Sequence, residues 1–280
     1  MSVRVGLHAL GIVLVSILPL RANDSAPPQG VVLVGHSLVN HDMPQILRKL
    51  GPRGSTTQEQ VINGATMWAN WDHAEKAEGI NARTVLARGD TDVLIVTEAI
   101  PLQNHIKWSD SYGYALKWRN AAIDANSKTR VYLYETWHSL EAKAADGSKK
   151  SGSLSDLTDW RIQLDKDLPK WEEIARRGQM TGLVPAGQAL GAMYDAVQTG
   201  NAAGLTSITQ LFSDDIHLNS LGNYFVACVQ YSVIYRVSPV GLQRQLVNQW
   251  GVAYKPPSEA LAMRMQQIAW EVVSRYRFSN

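Results

Sequence analysis

The sequence predicts an α/β fold, a three-layer α/β/α sandwich around a central parallel sheet of about five strands. Short, continuous apolar runs recur along the chain, the pattern of strands buried on both faces. Stretches with helical apolar spacing separate those runs, and strands that alternate with helices give a parallel sheet covered on both sides. Composition agrees: 45% of the 280 residues are hydrophobic and 19% are charged, enough for a sizeable core and unlike a disordered chain.

The elements follow in order. Residues 1–22 carry Arg4 and then the apolar run Val5 to Leu20, which fits a secretory signal peptide. That run is short for a membrane span. Its cleavage site is weakly marked, since Leu20-Arg21-Ala22 places a large residue at −3, and an uncleaved N-terminal anchor is the alternative. Residues 23–30 (NDSAPPQG) read as a linker, and 31–280 as one domain. No later stretch reaches about 18 apolar residues, so no stable membrane span is expected in the mature chain. Its expected location is the periplasm or outside the cell. Strands are expected at 31–34, 60–63, 92–97, 130–135 and 182–185. Helices are expected at 43–50, 111–126, 156–177, 221–237 and 258–276, and 141–155 reads as a polar surface loop.

Charge and cysteine content remove several function classes. Lys plus Arg is 27 against 25 for Asp plus Glu, which lacks the basic excess of a nucleic-acid binder. A lone cysteine, Cys228, excludes an internal disulfide framework and a cysteine-based zinc cluster. No Gly-x-Gly-x-x-Gly or Walker loop supports a nucleotide cofactor. A metal held by His138, Glu98, Asp214 and His217 is conceivable, but no recognised ligand spacing supports one. The chain is therefore read as having neither cofactor nor metal.

Ligands of open parallel sheets bind outside the carboxyl ends of the strands. The residues placed there are Gly35 to Leu38, Gly64 to Thr66, Glu98 to Pro101, Glu135 to His138 and Ala186 to Gln188, with Ser213 to Asn219 ahead of a long apolar helix. Ser37 sits at a strand-to-helix turn, where a hydroxyl is presented at the sheet edge near a helix N-terminus. A serine needs a general base to attack at neutral pH, and His217 is the favoured one because Asp214 lies three residues before it. A carboxylate there would orient one imidazole nitrogen and leave the other for Ser37. Asp214 could instead cap the helix, and Asp215 is its rival as orienting carboxylate. His41-Asp42 reads as the cap of the first helix.

Gly35-His36-Ser37-Leu38 resembles the first block of the SGNH or GDSL hydrolases, and Asp214-Asp215-Ile216-His217 resembles their last block, Asp-x-x-His. Gly64 stands where the second-block glycine of that family gives a backbone N–H to the oxyanion hole. The resemblance spans residues 31–237 and implies an SGNH, flavodoxin-like fold, with catalytic Ser37, His217 and Asp214 and an oxyanion hole from Ser37 and Gly64. It breaks at the third block, where the family has Gly-x-Asn-Asp and this chain has Glu98-Ala99-Ile100-Pro101. An ionised glutamate cannot donate to an oxyanion and would oppose its charge. Three readings stand. Asn104 reaches in from the following loop, the Ser37 and Gly64 N–H groups suffice, or Glu98 contacts substrate hydroxyls or a partner such as His138. In the first block, His36 replaces the family's aspartate.

The resemblance implies an exported serine esterase acting on acyl esters, acetyl esters of a carbohydrate foremost. A non-catalytic glycan-binding module and an O-acyltransferase with the same triad are the alternatives. The expected partner is a small-molecule or glycan ester. The chain holds nine Trp and three Phe. Trp118, Trp160, Trp171, Trp250 and Trp270 fall in or beside helices, where packing explains them. Trp68, Trp71, Trp108 and Trp137 follow strands and could stack on sugar rings. Trp137, with Glu135 and His138, either shapes the substrate pocket or simply forms a structured turn.

Overall fold

The computed structural model describes residues 26–141, 157–248 and 250–276; the signal segment falls outside them, as does most of the 141–155 loop. A six-stranded sheet forms the middle layer. Its strands are β1 (Gly30–Gly35), β2 (Thr56–Val61), β3 (Glu78–Gly79), β4 (Val93–Val96), β5 (Arg130–Glu135) and β6 (Gly182–Pro185), in the order β3-β2-β1-β4-β5-β6. The five expected strands are parallel throughout, and the two-residue β3 adds an antiparallel edge. The second strand runs Thr56–Val61, earlier than 60–63. Its sequence TTQEQV is largely polar, so the apolar run that signals a buried strand is missing.

Alternate residues of each central strand enter two separate cores, which is why the middle of those strands is continuously apolar. Val31, Leu33, Val93, Ile95, Tyr132 and Tyr134 face one core. It is built with α1 (Asp42–Leu50), α7 (Ala186–Gln198), α8 (Ser220–Tyr235) and α9 (Glu259–Arg275). Val32, Val34, Leu94, Val96, Val131 and Leu133 face the other. This second layer comprises α2 (Met67–Asp72), α3 (Ala82–Leu86), α5 (Ser111–Ala125) and the later part of α6 (Thr158–Arg177). A short α4 (Leu102–Trp108) follows β4.

Several of these helices depart from expectation. α2 and α4 occupy stretches read as loops, and α7 begins immediately at Ala186, so the expected post-strand loop Ala186 to Gln188 is a helix N-terminus. The first helix is capped by Asn40, whose Oδ1 accepts from Asp42 N at 2.8 Å and Met43 N at 2.9 Å. His41 makes no cap; its imidazole meets Glu59 and Glu78 at 3.2 and 2.9 Å. Among the described residues no helix is long and apolar enough to cross a membrane.

The strand order reverses at β1, whose neighbours are β2 and β4. The chain winds outward to β2 on one side, then returns to add β4, β5 and β6 on the other. A crevice forms at such a switch, outside the carboxyl ends of the strands. Ser37 lies two residues beyond the end of β1, in that position.

Candidate active site

Ser37 is carried by a tight turn in which Val39 N bonds His36 O at 2.8 Å, and α1 starts only five residues later, at Asp42. The turn is pressed against the neighbouring strand end: a Cβ on Gly35 would fall 2.6 Å from Thr97 Cγ2 and 2.7 Å from Val39 Cγ2. Any larger residue there would push the turn off the sheet edge.

His217 arrives from a loop between the 3-10 turn Ile208–Leu211 and α8. An antiparallel bridge between Phe212 and Leu218 closes the base of the loop, and Ser213 N bonds His217 O at 2.8 Å. Asn219 caps α8 through Leu221 N and Gly222 N, while its Nδ2 donates to Gln210 O and Phe212 O. These local hydrogen bonds fix the loop at both ends.

Within it, Asp214 Oδ1 accepts from Ile216 N at 2.8 Å and His217 N at 2.6 Å, and Oδ2 meets His217 Nδ1 at 2.7 Å. His217 Nε2 lies 2.9 Å from Ser37 Oγ, across 180 positions of sequence. Burial alone would raise the Asp214 carboxyl; the His217 and Ile216 N–H groups and the imidazole together hold it below its ordinary range. Asp215 turns elsewhere: its carboxylate accepts from the Ser139 hydroxyl and its carbonyl from Leu140 N. Chemically, the arrangement is a hydroxyl, a base within reach of its proton, and a carboxylate that fixes the base's tautomer.

Gly64 occupies a turn closed by Ala65 N to Ile62 O at 3.0 Å, with φ +71°, a backbone conformation that favours glycine. The backbone N–H groups of Ser37 and Gly64 have no acceptor among the described residues.

Glu98, at the exit of β4, is fully buried and reaches neither His138 nor solvent. Its Oε1 accepts from Met67 N at 3.2 Å and Ala99 N at 2.8 Å. The Ser111 hydroxyl beside the carboxyl favours the ionised form, although Oε2 and the Ser111 hydroxyl each lack a well-aligned hydrogen bond. Burial dominates and raises the carboxyl to about 7. The third reading of Glu98, contact with substrate hydroxyls or with His138, is therefore corrected: the side chain secures the first residue of α2. Asn104 sits exposed on α4, away from any such burial. His36 is buried as well. Leu38 N donates to its Nδ1, so its Nε2 carries the proton and donates to Glu98 O at 3.1 Å. Burial lowers this imidazole to about 4, which keeps it neutral.

The β5 exit contributes mainly support. Glu135 accepts from Gln188 N and Gln188 Nε2 at the start of α7, and burial raises its carboxyl to about 8. Trp137 is 1% exposed and donates from Nε1 to Ile216 O at 2.7 Å, bracing the residue before His217. Its ring packs edge-on against Tyr134 and Phe212 and borders a cavity at the β5 exit. Trp71 packs edge-on to Trp118 at 4.9 Å. Of the four post-strand tryptophans, Trp68 and Trp108 remain open to solvent, at 41% and 75% exposed. Trp250, expected to pack, is 76% exposed. Among the described residues no group of three or more His, Cys, Asp or Glu side chains could hold a metal.

No family model matches the sequence, and no curated protein matches it. The fold is similar to that of a DUF4886 family protein from Bacteroides uniformis, at 15% identity and a TM-score of 0.62, over 89% of this chain and 96% of that one. A candidate GDSL-like lipase from Parabacteroides merdae aligns at 13% identity and a TM-score of 0.45, over 76% of this chain and 98% of that one. At these identities the likeness is one of fold.

Proposed function

We propose that the chain is a serine ester hydrolase of the SGNH type. The observation that carries this reading is the continuous relay from Ser37 Oγ through His217 to Asp214, at 2.9 and 2.7 Å. Ser37 Oγ attacks the ester carbonyl carbon while His217 Nε2 takes its proton. The carbonyl oxygen becomes an oxyanion beside the Ser37 and Gly64 N–H groups, which would stabilise it. As the carbonyl re-forms, the alkoxide leaves with the proton from His217 and an acyl-serine remains. Water, deprotonated by His217, then attacks that ester, and Ser37 departs reprotonated with release of the acid. Asp214 keeps Nδ1–H pointed at itself and stabilises the imidazolium.

An acetyl ester on a carbohydrate is the substrate class this reading favours, and the apolar run of residues 5–20 supports export to the periplasm or beyond. Ser37→Ala should reduce hydrolysis of a small acetyl ester by roughly 10⁴-fold or more with the fold intact by circular dichroism. Substantial residual turnover in that variant would sink the assignment. Glu98 in place of an oxyanion donor favours one second reading, a binding module on a hydrolase scaffold. A fluorophosphonate probe separates the two, since it labels only an activated serine; an unlabelled protein that binds glycan saturably would be the module.

A further inference from the structure

One strand of the sheet is polar where its neighbours are apolar. β2 places Gln60 in the interior and α2 sets Asn70 against it, both at 0% exposed. Gln60 Oε1 accepts from Ala82 N at 2.7 Å, and its Nε2 donates to Asn70 O at 2.7 Å and to Asn70 Oδ1 at 3.2 Å. Asn70 Nδ2 donates in turn to Gly35 O at 3.1 Å and to Thr66 O at 3.2 Å. The N–H at one end of this chain can only donate and the carbonyls at the other can only accept. Both amides are therefore held in one orientation.

The need to pair buried polar groups does not explain the last link. Gly35 O already accepts from Ile62 N at 3.0 Å, and Thr66 O from Asn70 N at 3.0 Å. A leucine at position 70 would fill similar space and leave both carbonyls paired. What Asn70 Nδ2 adds is a tie between two elements. Gly35 ends β1 two residues before Ser37, and Thr66 caps α2 two residues after Gly64. β1 and β2 are parallel neighbours with Gly35 opposite Val61, so the two turns leave one sheet edge side by side. The Ile62 N–H holds the near end of the Gly64 turn to Gly35 O, and Asn70 holds its far end to the same carbonyl. With Glu98 where an oxyanion donor is expected, the Ser37 and Gly64 N–H groups are left to act alone. Their placement then matters the more, since a misplacement of about 1 Å can cost about 10²-fold in rate.

We infer that Asn70 is a positioning residue for the oxyanion hole, pinning α2 to Gly35 O and so fixing the Gly64 N–H relative to that of Ser37. The inference rests on the esterase reading. Wild type, Asn70→Leu and Gln266→Leu are compared on p-nitrophenyl acetate. Gln266 is the control, a buried amide bonded to Tyr224, Leu242 and Gly241 and to neither turn. In Asn70→Leu, kcat and kcat/KM should fall together by roughly 10–100-fold with KM within about twofold, because the donors act on the transition state. A trifluoromethyl ketone gives a readout that loss of folded protein does not move. Ser37 Oγ bonds to the ketone carbon, its proton passes to His217, and the carbonyl oxygen becomes an oxyanion facing the two N–H groups. The inhibition constant should rise by the same roughly 10–100-fold, while Gln266→Leu should lower Tm and keep both constants within about threefold. A folded Asn70→Leu with kcat within about threefold of wild type overturns the inference. So does a lowered kcat with an unchanged inhibition constant, or an equal loss in Gln266→Leu. Where Asn70→Leu does not fold, Asn70→Ala is read in the same way, and failure of both to fold makes Asn70 a folding residue and overturns the inference. A wild type that neither turns over the ester nor binds the ketone fails at the esterase reading and takes the inference with it, a result seen before any variant is made.

Discussion

Two adjacent aspartates take entirely different partners. Asp214 Oδ2 contacts the imidazole, while Asp215 is committed to Ser139 and Leu140. The difference is set by the loop: Asp214 Oδ1 is held by two backbone N–H groups, which leaves Oδ2 aimed at Nδ1. Asp214→Asn keeps the shape and loses the charge, and the amide favours the wrong imidazole tautomer. Its kcat should fall by roughly 10²–10⁴ with little change in KM, whereas Asp215→Asn should change kcat less than tenfold. Steady-state kinetics on a small acetyl ester distinguish them; equal losses would mean that both carboxylates act through loop structure. Asp-x-x-His was legible in the sequence because both ends of the contact lie on one loop. The partners of His36 and Glu98 were not, because each is set by contacts tens of positions away.

At the scale of elements, length decided what could be read. α5, α6, α8 and α9 each have several turns of apolar spacing and lie within two residues of the expected bounds. α2 and α4, with six and seven residues, span less than two full turns, too little for a period to register. α2 matters most, for it begins three residues after Gly64 and is gripped at Met67 from both sides. Glu98 accepts from Met67 N, and Trp118 Nε1 donates to Met67 O at 3.2 Å. Glu98→Gln retains an oxygen to accept from Met67 N and Ala99 N. Glu98→Ala strands both buried N–H groups, at a cost of about 1–3 kcal/mol each. The Gln variant should keep kcat within about threefold of wild type, while the Ala variant should lose tenfold or more as Gly64 loosens. Thermal melts beside the kinetics separate loss of fold from loss of positioning. A Gln variant as impaired as the Ala variant would show that the charge, and not the anchor, is what counts.

Across the whole molecule, three buried groups at the carboxyl edge make stability depend on pH in a defined sense. Burial raises Glu98 to about 7 and Glu135 to about 8, from an ordinary value near 4.5. Each therefore binds its proton more tightly folded than unfolded; its stabilisation is complete below 4.5 and is lost as pH climbs through the raised value. His36 runs the other way. Lowered to about 4, its contribution is present above 6.5 and is lost as pH falls through 4. Between about 4.5 and 6.5 the imidazole opposes the two carboxyls. Above 6.5 it is silent, and the carboxyls act alone until about 8. At about 1.4 kcal/mol per pH unit for each titrating group, stability should drop by roughly 2–3 kcal/mol from pH 6.5 to 8 and then level. For a chain of this size that is several degrees in Tm. Glu135→Gln cannot ionise yet retains an acceptor for Gln188 N, so it should flatten most of the slope above pH 7. Differential scanning calorimetry from pH 6 to 9 reads this directly. A wild-type Tm that holds constant or rises across the interval would mean that these carboxyls are ionised in the folded protein, their burial offset by the helix N-termini they meet.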